Sequence, residues 1–287
     1  MKFKSSSVEP PVILTFSTLD PSGCGGLQAD IETAASLGCH CAPIATAICT
    51  DGWEQNIETL AVDSTIIIEQ SRSVLEEMNV KAIKIGFVGS TSNAEAIHSI
   101  LHDYEDLPVV AHPALCLWDD ENPEQADLPD AFRSLILPLT WIANFSLYEA
   151  REVAGESDTI DTTAHALVSA GSSFAFITGT GKERREFQNT LFNANGLVRH
   201  YHWEQEPPTC HGASSTLATS TAAFLAHGGD ETQAIEQAQN FTWQTIRTSR
   251  ELGFGKRTPY RFFWADQNFD TSQNQIASEM PAAKNTH

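Results

Sequence analysis

Short apolar runs rich in β-branched residues alternate along this chain with stretches whose apolar positions recur every three or four residues. Runs of the first kind predict buried strands over residues 11–17, 41–50, 82–88, 108–113, 141–144 and 173–177, with a short edge strand over 57–62. Stretches of the second kind predict helices over 27–37, 64–78, 93–101, 131–137, 147–153, 162–170 and 231–251. In the second of these, Ile67, Ile68, Val74, Leu75 and Met78 share one face. Residues 188–192 and 197–203 predict an antiparallel pair turning at Asn195-Gly196. The small apolar segment from Ala218 to the glycine pair Gly228-Gly229 predicts one more buried helix with a glycine stop.

Strand followed by helix, repeated almost throughout, defines an α/β fold with a doubly wound, mostly parallel sheet. The expected organisation is an N-terminal extension over 1–10, one domain over 11–265 and a polar tail over 266–287; residues 119–130, acidic and proline-containing, are expected as a surface loop. Ligands bind such sheets at the carboxyl ends of the strands. Loops beginning at Asp20, Asp51, Gly89, His112, Asn144, Thr178 and Cys210 should therefore ring one site. The turn Asp20-Pro21-Ser22-Gly23-Cys24-Gly25-Gly26 has neither the Gly-Lys-Ser/Thr close of a P-loop nor the spacing of a dinucleotide fingerprint.

Charge narrows the partners. The 287 residues carry 37 acidic against 17 basic side chains, a formal net charge of −20. That balance argues against nucleic acid, which needs a basic face, and against an anionic membrane surface. No apolar window approaches the length of a membrane span, and no signal-like apolar segment follows the N-terminus, so the cytoplasm is the expected location. The six cysteines form no CxxC pair, and Cys39-His40-Cys41 is too tight for a zinc knuckle, so reduced core thiols are expected.

Chemistry concentrates at Cys210-His211-Gly212-Ala213-Ser214-Ser215-Thr216-Leu217, small and hydroxylic residues at the entrance of a helix. Free amides and the helix dipole make such a junction an anion site. An ordinary capped core helix is the alternative on this stretch alone.

The sequence resembles the hydroxymethylpyrimidine/phosphomethylpyrimidine kinases of thiamine biosynthesis, members of the ribokinase superfamily. The resemblance rests on Asp20-Pro21-Ser22-Gly23, Gly26-Leu27-Gln28-Ala29-Asp30, Thr46-Ala47, Lys84-Ile85-Gly86, Glu149-Ala150, His211-Gly212 and Thr216-Leu217. It implies a ribokinase-like fold and phosphorylation of hydroxymethylpyrimidine or its monophosphate with ATP and Mg2+ as cofactors. It also implies roles. Amides of Gly212, Ala213, Ser214 and Ser215 would hold the transferring group, and Glu149 would orient magnesium through water. Asp20, Gly23, Asp51 and Lys84 would bind substrate, and Thr178, Gly179 and Gly181 the nucleotide. For Asp20 a plain turn-forming role before Pro21 stays open. A homodimer is the expected assembly.

The departures from that family cluster at the chemistry. Ser215 stands where the family has its cysteine base, and a hydroxyl scarcely ionises. Losing base catalysis would cost ~10²–10⁴ in rate. Ser214 replaces a glycine, a strain if the backbone there has positive φ. His112, Ser146 and Thr178 replace an acid, an asparagine and a lysine. His112 as a substitute base competes with a plain strand-end role. The expected function is a weakened kinase; the alternatives are a catalytically degenerate homologue that binds a pyrimidine or nucleotide as a sensor, and a pyridoxal-type kinase.

Overall fold

The computed structural model describes residues 9–50, 58–155, 158–181, 187–203, 207–253 and 257–265. Along them run β1 (Val12–Leu19), α1 (Gly26–Ser36), β2 (His40–Cys49), β3 (Thr59–Ala61), α2 (Ser64–Glu77), β4 (Val80–Ile85), α3 (Thr91–Asp103), β5 (Val109–Ala111), α4 (Leu128–Ala131) and β6 (Ile142–Ser146). There follow α5 (Leu147–Ala154), α6 (Ile160–Ser169), β7 (Phe174–Thr178), β8 (Phe187–Asn193), β9 (Gly196–Trp203), α7 (Ala213–Ala226) and α8 (Glu231–Arg247). The strands form one sheet in the order β3-β2-β1-β4-β5-β6-β7-β8-β9. The six central strands are parallel, and β3, β8 and β9 run antiparallel at the two edges.

Helices cover both faces, which is why the central strands read as near-continuous apolar runs. On one face Leu14, Ala111, Ala143 and Phe145 pack against Ile67, Ile97, Phe132, Val153 and Leu167. On the other, Ile13, Val110, Ile142 and Phe176 pack against Leu217, Ala222, Ile235 and Ala238. Alternate strand residues thus serve alternate cores.

Most of the helices are capped by side chains, and the short α4, with Asp127 at its start, is not. Asp63 caps α2, Ser90 α3, Ser146 α5, Thr159 α6 and Asp230 α8, each through a side-chain oxygen that accepts an amide of the first turn. Helices α1 and α7 begin at Gly25 and Gly212 with no side-chain cap. Their first amides are left without an intrahelical acceptor.

Several sequence expectations shift. Helix α8 ends at Arg247 rather than at 251. Beyond it the chain returns toward the site, pairing Arg250 with Thr258 and Arg257 with Cys210. The helix expected over 131–137 starts at Leu128, widens to a π turn over Phe132–Ile136 and tightens to a 3-10 turn over Leu137–Leu139, where Pro138 supplies no amide donor. The segment before it is not purely surface: Gln125 is buried and its Nε2 donates to Thr59 Oγ1 at 2.8 Å. Of the cysteines, Cys24, Cys39 and Cys49 are buried, whereas Cys116 is exposed. Both ends of the chain, residues 1–8 and 266–287, lie outside the described residues, as does Asp51. Among the described residues no helix is long and apolar enough to cross a membrane.

Candidate active site

A cavity of about 280 Å³ opens where β1, β5 and β6 end and α1 and α7 begin. Its wall carries Asp20, His112, Glu149 and His211, together with residues 212–215 at the start of α7. The glycine starts of α1 and α7, Gly25 and Gly212, line it. The amides at the start of α7, with the helix dipole behind them, fit a negatively charged group such as phosphate; at the start of α1 the Asp20 carboxylate already accepts from Gly25 N.

The junction at Gly212 depends on glycine. Its φ is +84°, and a Cβ there would lie 1.9 Å from the Cys24 carbonyl oxygen. Ser214, by contrast, lies inside the first turn of α7 and has no positive φ, so the strain expected from its replacing a glycine does not arise. The close approach of α7 to the 20–26 loop is locked by Arg261, which is almost wholly buried. Its guanidinium donates to Cys24 O at 2.6 Å, to Thr216 Oγ1 at 3.0 Å and to Glu32 Oε2 at 3.0 Å. Nothing in the sequence marks Arg261: a lone arginine far along the chain carries no periodic or motif signal.

Asp20 is consumed by its own turn. Its Oδ1 accepts from Ser22 N and Ser22 Oγ, and its Oδ2 accepts from Gly25 N at 2.8 Å. His211 Nε2 lies 3.3 Å from the same Oδ2. Burial alone would raise its pKa, but the bonds from His211, Ser22 and Gly25 outweigh it and hold the carboxyl down at about 2. The turn-forming role is therefore present, and Asp20 still borders the cavity. Gly23 shapes that turn at φ +70°, its amide donating to Asp20 O, and does not line the cavity.

Lys84 lies beneath the floor, fully buried, not in the wall. Its ammonium donates to both oxygens of Asp30, at 3.0 and 2.9 Å, and to Ser215 Oγ at 3.4 Å. Thr219 Oγ1 completes the cluster by donating to Asp30 Oδ1 at 2.6 Å. Ser215, which lines the cavity, thus accepts a charge-assisted bond from below.

Glu149 caps its own helix. Oε2 accepts from Ser146 N at 2.9 Å and Ser146 Oγ at 2.8 Å, and Oε1 accepts from Leu115 N at 3.2 Å. The last bond exists because Ala114 takes a left-handed turn, φ 50°, directly after Pro113. The spacing Ser146-x-x-Glu149 is a capping-box signature, and the side chain fills that role while bordering the cavity. With Asp20 and Glu149 both engaged, and no group of three or more metal-ligating side chains among the described residues, the residues present do not fit a direct magnesium site.

The loops after β1, β5 and β6 reach the cavity, but the expected ring does not close. Gly89 packs onto Thr46 O, and Thr178, Gly179 and Gly181 stay outside the wall. Thr178 Oγ1 instead donates to Phe145 O at 3.4 Å, and Gly179 N to Asn189 Oδ1 at 3.1 Å. His211 was missed as a site residue, although it sits inside the stretch singled out.

Sheet topology and helix placement are those of the ribokinase-like fold. Solved structures agree on the fold. The ADP complex of pyridoxal kinase from Bacillus subtilis superposes with a TM-score of 0.78 at 23% identity, covering 90% of this chain and 99% of that one. A pyridoxal kinase from Staphylococcus aureus with AMP-PCP and pyridoxal gives 0.76 at 20% identity, over 89% and 95%. Within this fold class, residues 20–260 match the phosphomethylpyrimidine kinase family model, and the chain belongs to that family. The hydroxymethylpyrimidine/phosphomethylpyrimidine kinase of Rhizobium meliloti (strain 1021) is 27% identical over 264 residues, 89% of this chain and 99% of that protein.

Proposed function

We propose that the chain transfers the γ-phosphoryl group of ATP to the hydroxymethyl oxygen of hydroxymethylpyrimidine, or to a phosphate oxygen of its monophosphate, as an enzyme of thiamine biosynthesis with reduced turnover. The observation that carries this reading is the uncapped start of α7 opening into a pyrimidine-sized cavity beside Asp20. Amides of residues 212–215 would take the charge that develops on the transferring group, and such charge stabilisation, with positioning, is most of what a protein does for phosphoryl transfer. The acceptor oxygen attacks the γ-phosphorus while the bond to the bridging oxygen breaks and its electron pair leaves with ADP; the proton of an attacking alcohol passes to a phosphoryl oxygen and on to water.

Ser215 supports the reduced turnover. Because its oxygen accepts from the Lys84 ammonium at 3.4 Å, its own proton is directed toward the cavity. There it serves as a hydrogen-bond donor to a phosphoryl oxygen and not as a proton acceptor. The same bond also favours the second reading, a binding protein that has lost transfer. Calorimetric titration separates binding from its absence: the proposal expects heat from both hydroxymethylpyrimidine and ATP–magnesium. A protein that binds pyridoxal and not hydroxymethylpyrimidine belongs instead with the pyridoxal kinases of its fold neighbours.

A further inference from the structure

Hydroxyl side chains crowd α7 at Ser214, Ser215, Thr216, Thr219, Ser220 and Thr221. Most give their hydrogen to an acceptor inside the protein. Thr216 Oγ1 donates to Gly212 O at 2.9 Å, Ser220 Oγ to Thr216 O at 2.7 Å and Thr221 Oγ1 to Leu217 O at 2.9 Å. Such bonds, one turn back, are the ordinary use of a hydroxyl within a helix. Thr219 Oγ1 donates to Asp30 instead. Ser215 differs. Its oxygen accepts from Lys84 Nζ at 3.4 Å, and no acceptor among the described residues takes its hydrogen. Yet Ser215 is only 8% exposed, and the open side it has is the cavity.

That oxygen is equipped to attack phosphorus. A serine hydroxyl has two lone pairs, and the Lys84 bond takes one of them. The Lys84 ammonium is fixed from beneath by both oxygens of Asp30, so positive charge stays beside the serine oxygen. In the proposed function the amides of the same helical turn hold the γ-phosphoryl group. Donor and serine then share one mouth. Serine is also a primary alcohol, as is the hydroxymethyl acceptor. A site that brings a primary alcohol to a held γ-phosphoryl carries one in its own wall. The product is well placed too, because a phosphate in the first turn of a helix meets free amides and the positive end of the dipole. Ser214 is exposed, and the Lys84 bond goes to its neighbour.

We infer that Ser215 is a self-phosphorylation site: with ATP bound and the pyrimidine alcohol absent, the chain is its own acceptor. Ser215 Oγ attacks the γ-phosphorus, the bond to the bridging oxygen breaks, and its electron pair leaves with ADP. The hydroxyl proton passes to a phosphoryl oxygen and on to water. This rests on the proposed function for the bound ATP and goes beyond it in the acceptor. A phosphoserine there occupies the amides that would hold the next γ-phosphoryl, so the modified chain falls silent after one event.

Mass spectrometry of the full chain after incubation with ATP–magnesium and no pyrimidine reads the step. The expected result is a gain of one phosphoryl group, mapped to Ser215 by fragmentation and absent with ADP. Ser215→Ala should lose the gain, Ser215→Thr, which keeps a hydroxyl, should retain it, and hydroxymethylpyrimidine should slow it as the competing alcohol. Calorimetry with AMP-PCP reports nucleotide binding in parallel. Nucleotide bound with no gain in mass overturns the inference while the kinase reading stands. A gain mapped to another residue, or one that acid strips as it would a phosphohistidine at His211, overturns it as well. No nucleotide binding overturns both. Should Ser215→Ala not fold, the fragment map of wild type decides alone.

Discussion

Replacing Gly212 by alanine probes the join on which the site depends. Two costs arise. The first is backbone: φ is +84°, where an L side chain costs ~1–2 kcal/mol. The second is steric: the new Cβ would sit 1.9 Å from Cys24 O and 2.8 Å from Arg261 Nη2. The carbonyl is backbone and already accepts from Arg261, so α7 and the 20–26 loop must separate by about 1 Å, a strain comparable to overpacking at ~1–3 kcal/mol. The sum is ~2–5 kcal/mol, or a fall in Tm of ~3–8 °C for a chain of this size. Gly228, just past the other end of the same helix, is the control. Its φ is +90° and nothing lies within 4 Å, so Gly228→Ala carries the backbone cost alone. Differential scanning calorimetry of both variants reads the difference, and titration with hydroxymethylpyrimidine should show binding lost only in Gly212→Ala. Equal Tm shifts in the two variants would refute the claim that close contact of α7 with the 20–26 loop shapes the site.

Other predictions follow from the buried polar groups. Asp20 has its folded pKa depressed to about 2, so it stabilises the fold above its ordinary value near pH 4, and this contribution drains away as pH falls toward 2. Urea melts across that range should show Asp20→Asn less stable at neutral pH and less sensitive to acid than wild type. Arg261→Ala strips donors from Cys24 O, Thr216 Oγ1 and Glu32 at once and should cost ~3–5 kcal/mol in denaturant unfolding, whereas an exposed arginine such as Arg199 should cost under ~1 kcal/mol. Lys84→Met leaves the buried Asp30 carboxylate without its cation, with only the Thr219 hydroxyl on it, and should destabilise by ~3–5 kcal/mol, and adding Asp30→Leu should recover much of the loss; non-recovery in the double variant would count against the ion pair as the cause.

The sequence made much of the fold readable because its signals are local. β1, β4 and β6 announce themselves as apolar runs, and α7 as a small apolar helix with a glycine stop. The site was half readable. Asp20 and residues 212–215 could be placed by motif, since each sits at an element boundary where turn chemistry is strict. Long-range contacts left no such trace: Arg261 reaches Cys24 across more than two hundred positions, and Lys84 sinks to Asp30 instead of reaching the cavity. Glu149 was readable as the acid of a capping box, since Ser146-x-x-Glu149 is a local spacing. His112 stood out as a departure, but its orphaned nitrogen is visible only once β5 and β6 lie side by side.

The most direct test is to follow ATP and hydroxymethylpyrimidine by phosphorus NMR with wild type and with Ser215→Cys. A thiol placed beside the Lys84 ammonium would ionise more readily than usual and could take the proton that Ser215 cannot. Slow formation of the phosphate ester by wild type, and formation faster by part of the ~10²–10⁴ owed to a base in Ser215→Cys, is the predicted result. No ester from either protein, with both ligands bound, would contradict phosphoryl transfer as the work of this site.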